Sequence, residues 1–205
     1  MALKLIHFPM TRSLRPLCLI EEAKIDCEVE TRVFDRASLK EPEYLALNPL
    51  GKTPVFFDGE TRILESTAIL QYLADKYTDG SLSRSADDPD YSAYLQWLHF
   101  GEAGMGGYVN MLIAHTALLP EDQRNPDMAE WARGEAANCL NLLEVSLEGK
   151  DHLLGNFSIC DISVGYALFL IKITKNGSLF GENVRRYFKE ITDRASWQAA
   201  TARRP

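Results

Sequence analysis

The sequence predicts an α/β domain of β-α-β-α-β-β-α order followed by an all-helical domain. Three observations carry that prediction. Strand-like and helix-like segments alternate as far as Tyr77; Asp58-Gly59 lies between two short apolar runs; and past a polar stretch ending at Pro89 the apolar spacing is helical throughout. A chain of 205 residues suits one large domain or two modest ones. We therefore expect domains over residues 1–78 and 90–205, joined by a linker over 79–89.

Leu3 to Phe8 is an apolar run that ends at Pro9, a short strand. Leu14 to Ala23 has helical apolar spacing with Glu21-Glu22 on its outer face. Pro16 is tolerated in a first helical turn, where its missing N–H costs little, so this helix should begin near Arg12 or Ser13. Cys27 to Phe34 alternates as a second strand, and Ser38 to Leu47 reads as an irregular helix interrupted by Pro42. Pro54-Val55-Phe56-Phe57 and Thr61-Arg62-Ile63-Leu64 flank Asp58-Gly59-Glu60, a hairpin signal because the turn needs positive φ. Ser66 to Tyr77 closes the first half as a helix with Ser66 as its expected N-cap. A parallel βαβ unit feeding an antiparallel hairpin is the thioredoxin-like arrangement. In the second half, periodic segments span Asp90 to Leu118, Asp127 to Leu147, Ser158 to Lys172 and Asn183 to Ile191.

The charge sum, 22 basic against 29 acidic residues, gives −7, and no Lys/Arg-rich run is present, which excludes nucleic acid as the expected partner. No apolar stretch reaches the ~18 residues of a membrane span, and the start carries no signal-peptide pattern. The four cysteines (Cys18, Cys27, Cys139, Cys160) are scattered among four histidines without metal-ligand spacing. That usage fits a reducing cytosol and excludes a disulfide scaffold and a zinc protein.

Three segments carry chemistry, and a fourth is structural. The turn Pro9-Met10-Thr11-Arg12-Ser13-Leu14-Arg15-Pro16 places the hydroxyls of Thr11 and Ser13 at the mouth of a helix. Each is alone readable as a cap; beside the positive end of a helix dipole either suits an anion. In Asn48-Pro49-Leu50-Gly51-Lys52-Thr53-Pro54-Val55, a cis Thr53-Pro54 bond would turn the Thr53 backbone outward to pair with another peptide. Glu65-Ser66 puts a carboxylate, a hydroxyl and free helix N–H groups together, a place for an α-amino and α-carboxylate pair. Ser158 and Asp161 have capping-box spacing, and we read them as structural.

In this order and spacing these pieces resemble the cytosolic glutathione transferases along nearly the whole chain, and in particular a bacterial-type member with a hydroxyl active site. They are the turn ending in Arg15, Leu39 through Pro54, Glu65-Ser66 and Ser158-x-x-Asp161. The resemblance implies a glutathione-binding thioredoxin-like domain, a helical domain supplying the second-substrate pocket, glutathione as co-substrate with no metal, a cytoplasmic detoxification enzyme and a homodimer. By resemblance Glu65 and Ser66 hold the γ-glutamyl end, Thr53 before a cis Pro54 pairs with the cysteinyl backbone, and Lys40 and Lys52 meet the glycine carboxylate. Where related classes place a catalytic Ser four residues before the Arg this chain has Thr11, and Ser13 competes with it for that role. The acceptor is then a hydrophobic electrophile or a peroxide, lying between the halves beside Met10, Met105 and Tyr108. Two other activities share this pattern: a non-catalytic binder of glutathione or hydrophobic ligands, and a glutathione-dependent disulfide reductase or isomerase. The latter, if it works through a protein thiol, lacks a cysteine in the active turn.

Overall fold

The structure, a computed structural model, describes residues 2–205. Its first sheet strand, β1 (Leu3–His7), is central, so both faces are covered and Leu3, Leu5, Ile6 and His7 are all buried. The sheet order is β2-β1-β3-β4, with β2 (Glu28–Thr31), β3 (Val55–Asp58) and β4 (Thr61–Ile63). β1 runs parallel to β2 with Leu5 opposite Val29, and antiparallel to β3 with Leu5 opposite Phe56. β3 and β4 form the expected hairpin around Asp58-Gly59, with Gly59 at φ 56°.

Helix α1 (Leu14–Ala23) packs against α3 (Ser66–Tyr77), and α2 (Pro42–Leu47) follows a single 3-10 turn over Ser38–Lys40. Pro42 divides the expected single helix because it can start one but not continue one. A core of Ile6, Phe8, Leu39, Tyr44 and Val55 fills the α2 side of the sheet. β2 ends at Thr31 rather than near Phe34. The Arg32 N–H still pairs with the His7 carbonyl, but Pro9 has ended β1, so Val33 and Phe34 have no neighbouring strand and stand exposed.

The chain divides into two compact units that differ from the expected boundaries. The first runs to Ser83 and also takes in Asp193–Pro205; the second is Arg84–Thr192. The last helix, α9 (Ala195–Ala202), packs along α1 in the first unit. Glu22 on α1 accepts hydrogen bonds from Arg194 and from the Ser196 hydroxyl, and Arg203 reaches the Val29 carbonyl and Thr31 of β2. The polar look of these last residues hides Trp197 and Ala200, which are buried.

The second unit is helical, as expected: α4 (Tyr91–His99), α5 (Gly106–Ile113), α6 (Pro126–Ser146), α7 (Ile159–Ile173) and α8 (Glu182–Asp193). The segment expected as one helix over Asp90–Leu118 widens to π geometry at Phe100–Gly104 and again at Ala114–Leu118. Gly101 lies so close to α7 that an added Cβ would stand 2.5 Å from the Ser163 carbonyl oxygen. Close approach of backbones, not chain weakness alone, therefore demands glycine there.

Two buried carboxylates tie the units internally. Asp161 of α7 accepts from the N–H groups of Leu153 (3.1 Å) and Ser158 (2.8 Å) and from the Tyr187 hydroxyl (2.9 Å), completing the capping box. Asp161→Ala strands these three donors, and urea unfolding is expected to show a loss of about 3 kcal/mol or more. In the first unit Asp58 accepts from Tyr72 (2.7 Å), Lys76 (2.6 Å) and the Tyr77 hydroxyl. The Lys76 ammonium and the two phenols hold its carboxyl well below the usual carboxylate range. A lowered folded-state pKa gives stability that is present above the unfolded pKa and is lost as pH falls towards the folded one. Asp58→Asn is therefore expected to melt below the wild type at pH 7, with the gap closing as pH drops below about 4.

Candidate functional site

Strand β1 ends at His7, just before Phe8-Pro9, and α1 starts at Leu14, so the intervening turn must pair the polar groups of Phe8 by itself. Met10 takes φ 66° to reverse the chain and stays half-exposed. Ser13, expected at the helix mouth, is its first flanking residue but makes no cap bond to α1. Its side chain turns back instead: Oγ accepts from the Phe8 N–H (2.9 Å), lies 2.9 Å from the Phe8 carbonyl oxygen and 2.8 Å from His7 Nδ1. It has no exposed surface.

Thr11 sits one shell outward and is only part-buried. Its Oγ1 donates to the Phe8 carbonyl (2.8 Å) and lies 2.9 Å from Ser13 Oγ. Both candidate hydroxyls thus belong to one cluster, but only Thr11 has solvent-facing surface.

The second segment is held from below. The Lys52 carbonyl accepts from the Tyr44 hydroxyl (2.7 Å) and Asn48 Nδ2 (2.6 Å), while Asn48 Oδ1 accepts from the Leu50 N–H (3.0 Å). Lys40 Nζ donates to the Leu50 carbonyl (3.0 Å), which draws Lys40 to the loop that carries Lys52. Gly51 adopts φ +59°, and an added Cβ would stand 2.6 Å from the Leu39 carbonyl oxygen. The Thr53-Pro54 bond is cis. Lys40 and Lys52 are exposed, and Thr53 is part-buried.

At the third segment Ser66 is the first residue of α3 rather than its cap; Glu65 holds the cap position with an extended backbone and an exposed side chain. Ser66 is buried because Arg15, itself buried, crosses from α1 and donates to its Oγ at 3.1 Å. A hydroxyl that accepts from a guanidinium keeps its own hydrogen for an anion at the end of α3.

The residues expected beside a second substrate divide. Met10 is exposed and Tyr108 part-buried, its ring edge-on to Trp131 at 5.6 Å. Met105 has no exposed surface and packs in the core of the helical unit, so it cannot line an open pocket. It follows directly on the π segment Phe100–Gly104. A groove of about 470 Å³ lies elsewhere, lined by Lys4, Glu28, Glu30 and Arg32 among others and by none of the predicted residues.

Cysteine chemistry finds no support in the electrostatics. Burial pushes the Cys160 thiol up to about 12 and Cys27 to about 11, and raises Cys18 and Cys139 as well. Among the described residues no group of three or more His, Cys, Asp or Glu could hold a metal ion.

Sequence reasoning missed His7, Tyr44 and Asn48, each of which supports a candidate residue from beneath. A histidine in an apolar strand just before a Pro-terminated turn was the available signal. Burial and the Arg203 and Arg204 charges push the His7 ring down to about 4, so it is neutral at pH 7.

Residues 1–75 match the family model described as "Glutathione S-transferase, N-terminal domain". "Glutathione S-transferase 2" of Schizosaccharomyces pombe is 35% identical over 169 residues, covering 77% of this chain and 68% of that protein. "Glutathione S-transferase 1" of the same organism is 33% identical over 199 residues, covering 89% and 83%. A solved glutathione transferase of Phanerochaete chrysosporium, determined with oxidized glutathione, superposes with a TM-score of 0.82 at 26% identity over 97% of this chain and 92% of that one. With the thioredoxin-like sheet, the buried Arg15–Ser66 link and the cis Pro54 already in place, the chain belongs to the glutathione S-transferase family.

Proposed function

We propose that this protein activates the thiol of glutathione through the Thr11 hydroxyl for attack on a small hydrophobic electrophile or a peroxide. Attack on the electrophile forms a C–S bond by displacement of a leaving group or by addition. Attack on a peroxide breaks its O–O bond to release an alcohol, and a second glutathione converts the resulting sulfenic acid to the disulfide and water. The observation that carries the reading is the split between the two hydroxyls: Ser13 is enclosed with Phe8 and His7, whereas Thr11 retains an open side. A thiol of pKa about 8.5 is only about 3% thiolate at pH 7. One hydrogen bond to a charged acceptor contributes roughly 1.5–3 kcal/mol, equal to about one to two pKa units. Two units bring the thiolate to about three quarters, some twenty-five-fold more nucleophile at neutral pH. Thr11 need not act as a base; it donates to the sulfur anion, and the thiol proton leaves to solvent. Holding the electrophile near that sulfur supplies the rest of the acceleration.

In this reading Ser66 and the α3 N-terminus take the γ-glutamyl carboxylate while exposed Glu65 takes its amino group. Thr53, ahead of cis Pro54, pairs with the cysteinyl backbone, and Lys40 and Lys52 meet the glycine carboxylate. Lys40 is already drawn to the Leu50 carbonyl, so the two cations share one loop. Met10, exposed in the active turn, is the proposed contact to the hydrophobic substrate. The reading includes a cytosolic homodimer that uses no metal, states typical of the family. No helix among the described residues is long and apolar enough to cross a membrane.

Thr11→Val keeps the shape and removes the donor. It is expected to raise the pKa of bound glutathione by about one to two units and to lower kcat by about ten-fold or more, while Thr11→Ser keeps both. Ultraviolet absorbance of the thiolate across a pH series checks this, and an unchanged thiol pKa in Thr11→Val removes Thr11 from the mechanism. Glu65→Gln is expected to raise KM for glutathione about ten-fold with the bound-thiol pKa unmoved, measured by steady-state kinetics.

A further inference from the structure

Ser13 Oγ has four neighbours at hydrogen-bonding distance but only one hydrogen and two lone pairs. The Phe8 N–H takes one lone pair without choice, because an N–H can only donate. What remains is settled by the tautomer of His7. Its Nδ1 faces Ser13 at 2.8 Å, while its Nε2 is buried and has no hydrogen-bond partner among the described residues. A buried N–H left without an acceptor is rarer and costlier than a bare ring nitrogen, so the proton belongs on Nδ1. His7 then donates to Ser13, both lone pairs of Ser13 are filled, and the Ser13 hydrogen goes to the Phe8 carbonyl at 2.9 Å.

This arrangement decides what Thr11 can do. Ser13 has no lone pair left for the Thr11 hydrogen, despite the 2.9 Å between the two oxygens. Among the described residues, the only remaining acceptor for it is the Phe8 carbonyl, which already receives Ser13 and also lies 3.3 Å from the Thr11 N–H. When Thr11 turns its hydrogen away, that buried carbonyl is still paired, so the rotation leaves no orphan behind. We infer that His7 is a positioning residue that, by donating through Nδ1 to Ser13, frees the Thr11 hydrogen to point at the glutathione sulfur. The inference rests on the proposed role of Thr11 and extends it to a residue that never touches substrate.

His7→Phe empties a lone pair on Ser13, which then competes for the Thr11 hydrogen. The expected result is a rise of about half to one unit in the pKa of bound glutathione, a fall in kcat of about three- to ten-fold at pH 7, and a KM for glutathione within about two-fold of wild type. His7→Asn, whose amide nitrogen stands near the position of ring Nδ1, is expected to restore the thiol pKa. A merely structural role predicts no such rescue. A His7→Phe protein that keeps the wild-type thiol pKa while Thr11→Val shifts it overturns the role of His7 alone; if neither variant shifts it, the Thr11 reading fails as well. Nitrogen NMR of the His7 imidazole in the unaltered protein tests the same point without any variant. The Nδ1–H tautomer is expected, and the Nε2–H tautomer overturns the inference.

Discussion

Phe8 closes strand β1 inside the protein, and its N–H and carbonyl must find partners within the next five residues. That requirement shapes the whole turn. Ser13 serves both groups from the start of α1, which costs the helix its ordinary side-chain cap, and Thr11 adds a donor from the outer side. The reversal at Met10, with its positive φ, is what brings residues 11 and 13 back over Phe8. Under the proposed function, the thiolate site grows out of a backbone-pairing problem, since hydroxyls gathered to satisfy a strand end also sit at an electropositive helix end.

The same pattern, a residue that works by holding another, recurs at each segment of the site. Arg15 is buried to reach Ser66, Tyr44 and Asn48 hold the carbonyl of Lys52, and Gly51 allows Leu39 and Lys40 to approach. None of these supports is adjacent in sequence to what it supports except within the 48–52 loop. Where such supports act, at Ser66, the Lys52 carbonyl and the Gly51 turn, little conformational entropy remains to be lost on binding.

Local signals in the sequence were sufficient where one rule acted alone. The bounds of α1, the Asp58-Gly59 hairpin and the Ser158–Asp161 capping box all followed from single residues with strong conformational demands. Expectations missed where two demands competed. Ser66 has the chemistry of a cap, yet the buried Arg15 claims it and Glu65 takes the cap position. Alternation carried β2 on to Phe34, although pairing depends on β1, which Pro9 had already stopped. The glycines around Met105 suggest room for a ligand, yet the helix there closes over it and Met105 is fully buried. The role of α9 was invisible to any local window, because its partners are on α1 and β2.

That last arrangement bears on how the protein is made. Arg203 meets Thr31 and Arg194 meets Glu22, each 172 residues earlier in the chain. At synthesis rates of about 5–20 residues per second, the α1 surface leaves the ribosome roughly 10–35 seconds before the helix that covers it. Over that interval the flank of α1 that α9 will cover stands open to solvent, and the first unit is complete only once the final residues of its α9 emerge.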